Sequence, residues 1–256
     1  MKEYIGVLDS GVGGLSVLSE LHKLMPNQDY IYFGDTKNIP YGTKSQEEIY
    51  TFTKNILNFF MTKNVKNVVF ACNTTSAVAY EQLKKDFENK LKIFPLIQTV
   101  AKSIQEDLSD GDTVAILATR ATINSNKYTE EIKKYNKNLN IIGIDCTGFV
   151  EIVENRLYED KNSLELIKSK LALAKDSKRI VLGCTHYPYL VDIFKTILNK
   201  DYFNPAICLS KIVKESINQT KKEGSVEFYV SKNPDNFKQS GKMFFDIKNE
   251  VKLADI

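Results

Sequence analysis

Two cysteines stand where thiol chemistry would need them. Cys72 ends the run Val68–Val69–Phe70–Ala71 and leads into Asn73, Thr74 and Thr75. Cys184 ends Ile180–Val181–Leu182–Gly183 and leads into Thr185 and His186. A lone cysteine after an apolar strand is by default a small packing residue. The polar company and the second copy change that reading. The pair lies 112 positions apart, at 72 and 184, each closing a buried-strand pattern. A thiol at a helix start is expected to have a lowered pKa, and the thiolate is its reactive form. His186 could supply a charge or shuttle a proton.

Two matched acid/base groups on facing walls suit one chemistry in particular, the inversion of a carbon acid. One base takes the α-proton of an amino acid from one face, and one acid returns a proton to the other. The reverse reaction only exchanges their roles. An ordinary thiol pKa of about 8.5 brings both protonation states within reach near neutrality. The carbanion-like transition state needs stabilisation. Backbone amides and hydroxyls of Ser10, Asn73, Thr74 and Thr185 could provide it by binding carboxylates.

Other segments carry weaker signals. Asp9–Ser10–Gly11–Val12–Gly13–Gly14 makes a tight turn into a helix start, able to hold an anion or merely to cap the helix. Ser16 occupies the place of the third glycine of a dinucleotide fingerprint, and no Walker lysine follows. Gly34–Asp35–Thr36 through Pro40–Tyr41–Gly42 could offer the Tyr41 hydroxyl and the Gly42 amide to a ligand, or be an ordinary loop. Thr119 and Thr122 follow a later strand and could donate to a carboxylate or cap a helix. Cys146 and Cys208 read as packing residues. His22, in the helical segment Leu18 to Met25, reads as a surface residue.

These residues need elements to position them. Short apolar runs read as buried strands at 4–8, 30–33, 68–71, 93–96, 113–117, 140–144, 180–182 and 226–230. Between them lie segments of helical period, such as Gln46 to Lys63 with Ile49, Phe52, Ile56, Phe59 and Phe60. The alternation predicts an α/β protein with mainly parallel sheets. Ile5–Gly6–Val7–Leu8 is echoed by Val114–Ala115–Ile116–Leu117, in near register with the repeat of the cysteine motif. The expectation is two similar α/β domains facing each other across an active-site cleft. The first would span 1–96 plus a returning tail of about 210–256, and the second 97–209. Ligands of open α/β sheets sit at the carboxyl ends of the strands, where both cysteines fall.

Bulk composition excludes several classes. The net charge is +3 and spread along the chain, which gives no basic patch for nucleic acid. Four cysteines without a C-x-x-C pair fit neither a zinc ribbon nor a disulfide scaffold. The start, Met1–Lys2–Glu3–Tyr4, runs directly into a strand pattern and lacks signal-peptide features. No apolar run approaches the roughly 20 residues that span a bilayer. A reducing cytoplasm, with free thiols and no membrane partner, is the expectation.

The motifs together resemble the glutamate racemases of the aspartate/glutamate racemase superfamily. The match is carried by Gly6–Val7–Leu8–Asp9–Ser10–Gly11–Val12–Gly13–Gly14–Leu15, Gly34–Asp35–Thr36 with Pro40–Tyr41–Gly42, and Ala71–Cys72–Asn73–Thr74. It continues through Ala118–Thr119–Arg120–Ala121–Thr122 and Gly183–Cys184–Thr185–His186–Tyr187–Pro188. Weaker similarity reaches Asn204–Pro205–Ala206 and Phe228–Tyr229–Val230–Ser231. The resemblance implies conversion of L-glutamate to D-glutamate for peptidoglycan synthesis, hence cell-wall biogenesis and cell shape. It implies no cofactor, no metal and a homodimer. Cys72 and Cys184 would be the acid/base pair, with Asp9 and His186 as their respective auxiliaries. Substrate contacts would fall to Asp9, Ser10, Tyr41, Gly42, Asn73, Thr74, Thr122, Thr185 and His186.

One stretch departs from the family pattern. A Cys-Pro segment leading to an acidic residue is replaced by Cys146–Thr147–Gly148–Phe149–Val150–Glu151–Ile152–Val153–Glu154, with proline missing at both expected places. Glu154 is the aligned acid. Other readings of the residues stay open here: a racemase for aspartate or a hydantoin-like compound, a one-thiol decarboxylase, or a two-domain ligand-binding protein.

Overall fold

The computed structural model describes residues 3–217 and 224–256. Met1 and Lys2, expected to run into the first strand, lie outside the described residues. The first sheet is built from β1 (Tyr4–Asp9), α1 (Leu15–Leu24), β2 (Asp29–Gly34), α2 (Gln46–Thr62), β3 (Asn67–Phe70), α3 (Asn73–Val78), α4 (Tyr80–Phe87) and β4 (Lys92–Pro95). Helix α5 (Leu96–Ile104) leads to the second. That sheet uses β5 (Thr113–Ala118), α6 (Arg120–Asn124), α7 (Lys127–Lys133), β6 (Asn140–Asp145), α8 (Phe149–Glu154), α9 (Lys161–Ala172), β7 (Arg179–Gly183), α10 (Val191–Ile197) and β8 (Tyr202–Phe203). The chain then returns through α11 (Pro205–Ser216), β9 (Val226–Val230), α12 (Pro234–Gly241) and β10 (Val251–Leu253).

The two sheets share a topology. The first has the order β10-β9-β2-β1-β3-β4 and the second β6-β5-β7-β8. Without the returning strands, both follow one pattern: the opening strand lies between the second and the third. Every strand pairing among the described residues is parallel. Buried parallel strands are apolar on both faces, which is why β1, β2, β5 and β7 read as continuous apolar runs rather than alternating ones. The faint sequence repeat is thus a repeat of supersecondary structure.

Helix α2 shows how local signals set the frame. Ser45 caps it, its hydroxyl accepting the Glu48 amide while Glu48 accepts the Ser45 amide. Ile49, Ile56, Leu57 and Phe60 then face the core at helical spacing. The tail strands β9 and β10 extend the first sheet beside β2. Strands β8 and β10 escape the sequence pattern because two or three residues are too few to show a period.

The tail also alters one expectation. His22 is half-buried, not a surface residue. Its ring packs between Tyr30 and Phe245, the latter brought by the returning segment. Cys146 is buried, as its reading as a packing residue requires, while Cys208 on α11 is half-buried.

Candidate functional site

In each sheet the opening strand has a neighbour on either side, so the chain leaves it in opposite directions. Such switch points open a crevice beyond the carboxyl ends of the strands. The loops after β1 and β3 meet the loops after β5 and β7 around one cavity of about 420 Å³. Asp9, Ser10, Tyr41, Gly42, Cys72, Asn73 and Thr74 enter it from the first sheet, and Glu154, Cys184, Thr185 and His186 from the second.

Cys72 caps α3, its sulfur accepting the Thr75 amide at 3.5 Å. Ser10 Oγ lies 4.0 Å from the same sulfur. The expected lowering of its pKa does not follow. Burial, then the charge of Asp9, push the thiol up to about 11, and the hydrogen bonds from Thr75 only partly offset this. A six-residue helix start is too weak a donor to outweigh complete desolvation. Asp9 is itself deeply buried. Burial raises its carboxyl, against the amides of Gly11 and Gly14 and the charge of His186.

The second thiol has a different setting. His186 Nδ1 lies 3.8 Å from Cys184 Sγ, and Nε2 lies 2.9 Å from Glu154 Oε1. Burial alone would lower the pKa of the imidazolium. Its hydrogen bonds to Cys184 and Glu154, and their charges, outweigh that and raise it to about 10. Glu154 therefore reaches the site despite the missing prolines. Gly148 takes a left-handed φ of 101° at the start of α8, a conformation glycine adopts without strain, and the helix carries Glu154 and Val150 to the cavity.

Close approach fixes how the two groups meet. A Cβ on Gly13 would run into the His186 ring and the Thr185 hydroxyl. The glycine run after β1 thus serves packing across the cleft.

Two expected contacts sit differently. Thr122 does not line the cavity: it is buried one turn into α6, its hydroxyl 3.3 Å from Thr74 and 3.1 Å from Thr119. Thr119, at the helix start, lines the cavity in its place. The Tyr41 hydroxyl is committed to Asp35 at 2.7 Å, so this residue presents its ring and backbone. The sequence reading also missed the wall formed by Asn233, Asn236, Phe237 and Ser240. Pro234 at the first turn of α12 marked the helix, and the spacing 233, 236, 240 marked one face. Nothing local marked where that face would dock.

Among the described residues, no group of three or more His, Cys, Asp or Glu side chains could hold a metal ion. No helix among them is long and apolar enough to cross a membrane.

A sequence model of the family described as Asp/Glu/Hydantoin racemase matches residues 5–208. The chain belongs to this family. Glutamate racemase 2 of Caldanaerobacter subterraneus subsp. tengcongensis is similar to this racemase-family chain at 39% identity, over 98% of this chain and 97% of that protein. The crystal structure of glutamate racemase from Francisella tularensis, in complex with D-glutamate, matches with a TM-score of 0.88 at 33% identity, covering 100% of this chain and 97% of that one. A glutamate racemase isoform from Bacillus anthracis gives a TM-score of 0.88 at 26% identity, over 99% and 97% of the two chains. The two-sheet α/β architecture of this racemase-family chain is therefore that of the solved glutamate racemases.

Proposed function

We propose that this chain interconverts L- and D-glutamate by proton transfer between Cys72 and Cys184, without a cofactor. The observation that carries the reading is that two thiols, supplied by equivalent strand ends of two similar sheets, line one cavity. Family membership and the glutamate racemases among its relatives support the substrate.

A thiolate takes the α-proton, and the electron pair left on carbon is delocalised into the α-carboxylate. The other thiol then gives its proton to the opposite face of the carbon. Cys72, held as a thiol by burial and Asp9, supplies the returning proton in one direction. His186, held protonated and paired with Glu154, places a positive charge 3.8 Å from Cys184 Sγ. The hydroxyls and amides of Ser10, Asn73, Thr74, Thr119 and Thr185 face the carboxylates, where fixed donors act without reorganising. We place the product in peptidoglycan precursor synthesis and the working form as a homodimer of 1–96 with 210–256 and 97–209 domains.

The test is racemisation of each glutamate enantiomer by the purified protein in heavy water, without added cofactor. Deuterium should enter the α-position of the product. Cys72→Ser and Cys184→Ser should each lower kcat by about 10²–10⁴-fold, the usual contribution of a positioned acid or base. Full racemisation by either variant would reject the two-thiol assignment. No turnover of glutamate would reject the substrate.

A further inference from the structure

Two buried hydroxyls cross between the sheets in a reciprocal pattern. Ser16, on α1 beside the first sheet, donates to the main-chain carbonyl of Thr185 at 2.9 Å. Tyr128, on α7 beside the second sheet, donates to Asn73 Oδ1 at 2.7 Å. Thr185 and Asn73 are the residues that directly follow the two cysteines. All four partners are buried. The acceptors are matched by the repeat of the cysteine motif, since 72 and 184, and 73 and 185, are each 112 apart. The two bonds are reciprocal: each runs from a helix between the first and second strands of one sheet to the residue that follows the cysteine of the other.

We infer that Ser16 and Tyr128 are a reciprocal pair of positioning residues, by which each half of the molecule holds the cysteine loop of the other. The inference rests on the two-thiol reading of the site.

Each bond has a distinct consequence. The Thr185 carbonyl belongs to the peptide plane that leads into His186. Fixing that oxygen fixes the plane, and with it the ring that stands 3.8 Å from Cys184 Sγ. Seating Gly13 directly against His186 and Thr185 keeps α1 close enough to reach. Tyr128 acts on a side chain instead. Burial pushes its phenol far up, so it stays protonated. Its proton engages Asn73 Oδ1, which leaves the amide NH₂ as the donor end. Asn73 lines the cavity, and only donors suit a substrate carboxylate. Without the phenol, the amide is free to turn its oxygen toward that carboxylate.

The test uses Ser16→Ala, Ser16→Thr and Tyr128→Phe in the full chain, with both glutamate enantiomers, protiated and α-deuterated. Ser16→Ala should lower kcat by about 10- to 100-fold, the scale of a small misplacement at the reacting centre. Its substrate deuterium isotope effect should rise for one enantiomer only, the one deprotonated by Cys184. Ser16→Thr, which restores a hydroxyl, should recover most of kcat. Tyr128→Phe should raise KM about tenfold or more for both enantiomers with a smaller change in kcat, because a hydrogen bond to a charged group is lost. Melting temperatures establish that each variant is folded. The proposal is overturned if folded Ser16→Ala and Tyr128→Phe keep wild-type kcat and KM, or if Ser16→Thr behaves like Ser16→Ala. Cys72→Ser and Cys184→Ser are run alongside. Activity surviving in those variants removes the two-thiol reading itself, a failure separate from unchanged constants in the hydroxyl variants.

Discussion

His186 Nε2 and Glu154 Oε1 lie 2.9 Å apart, although they come from different strand–helix units of the second sheet. The Glu154 side chain is 40% exposed and that of His186 only 9%. The pair therefore joins a buried imidazole to a carboxylate that water still screens. Glu154→Gln keeps a hydrogen-bond acceptor and removes the charge. It should lower kcat by less than about tenfold, as expected for a screened ion pair. A loss comparable to that of Cys184→Ser, measured in the same racemisation assay, would contradict this.

The protonation of His186 has a stability signature. Its folded pKa of about 10 lies above the ordinary 6.5. A raised basic group stabilises the fold fully below its unfolded pKa, and that contribution is lost as pH rises through the folded value. The difference in melting temperature between the natural chain and His186→Asn should be largest near pH 6 and shrink toward pH 10. A difference that grows over that range would show the pKa to be lowered instead.

Asp9 is expected to trade stability for activity. Burial raises its carboxyl, so its charged form is disfavoured in the fold at neutral pH and that penalty is relieved on acidification. Asp9→Asn keeps the acceptor that receives the Gly11 amide at 2.9 Å. The variant should melt no lower than the natural chain at pH 7 and should racemise more slowly. Cys72, freed of the neighbouring charge, should ionise more easily and react faster with iodoacetamide, read by mass spectrometry of its peptide. Slower alkylation of Cys72 would count against the coupling.

Gly13 leaves no room for a side chain against His186 and Thr185. Gly13→Ala should destabilise the fold by about 1–3 kcal/mol, the usual cost of overpacking. Racemisation should fall with it, because the group forced aside is the His186 ring. Chemical denaturation and the activity assay together check this. A fully active, equally stable variant would refute the close approach.

Much of the candidate site was legible because its residues sit at strand ends, and parallel strands announce themselves as short apolar runs. Cys72 and Cys184, with Asn73, Thr74, Thr185 and His186, follow directly from where β3 and β7 stop. The equivalent order of the two sheets was present as a weak repeat. Other features were not legible. Thr119 and Thr122 both reach Thr74, and only the packing of α6 against the first sheet leaves Thr119 open to the cavity and covers Thr122. The burial of His22 depends on a tail segment more than 200 residues away.

What the sequence determined by itself was the chemistry on offer: two thiols in matched settings, hydroxyls and amides beside them, and an alternating pattern that fixes strands and helices by local period. What only the tertiary structure decided was how those groups are tuned and held. Desolvation raised Cys72 where a helix start was expected to lower it. Packing brought Glu154 to His186, placed α12 against the cavity, and let Ser16 and Tyr128 reach across to Thr185 and Asn73. Period and propensity are properties of neighbours in the chain, whereas burial and charge proximity depend on residues that meet only once the two sheets are assembled.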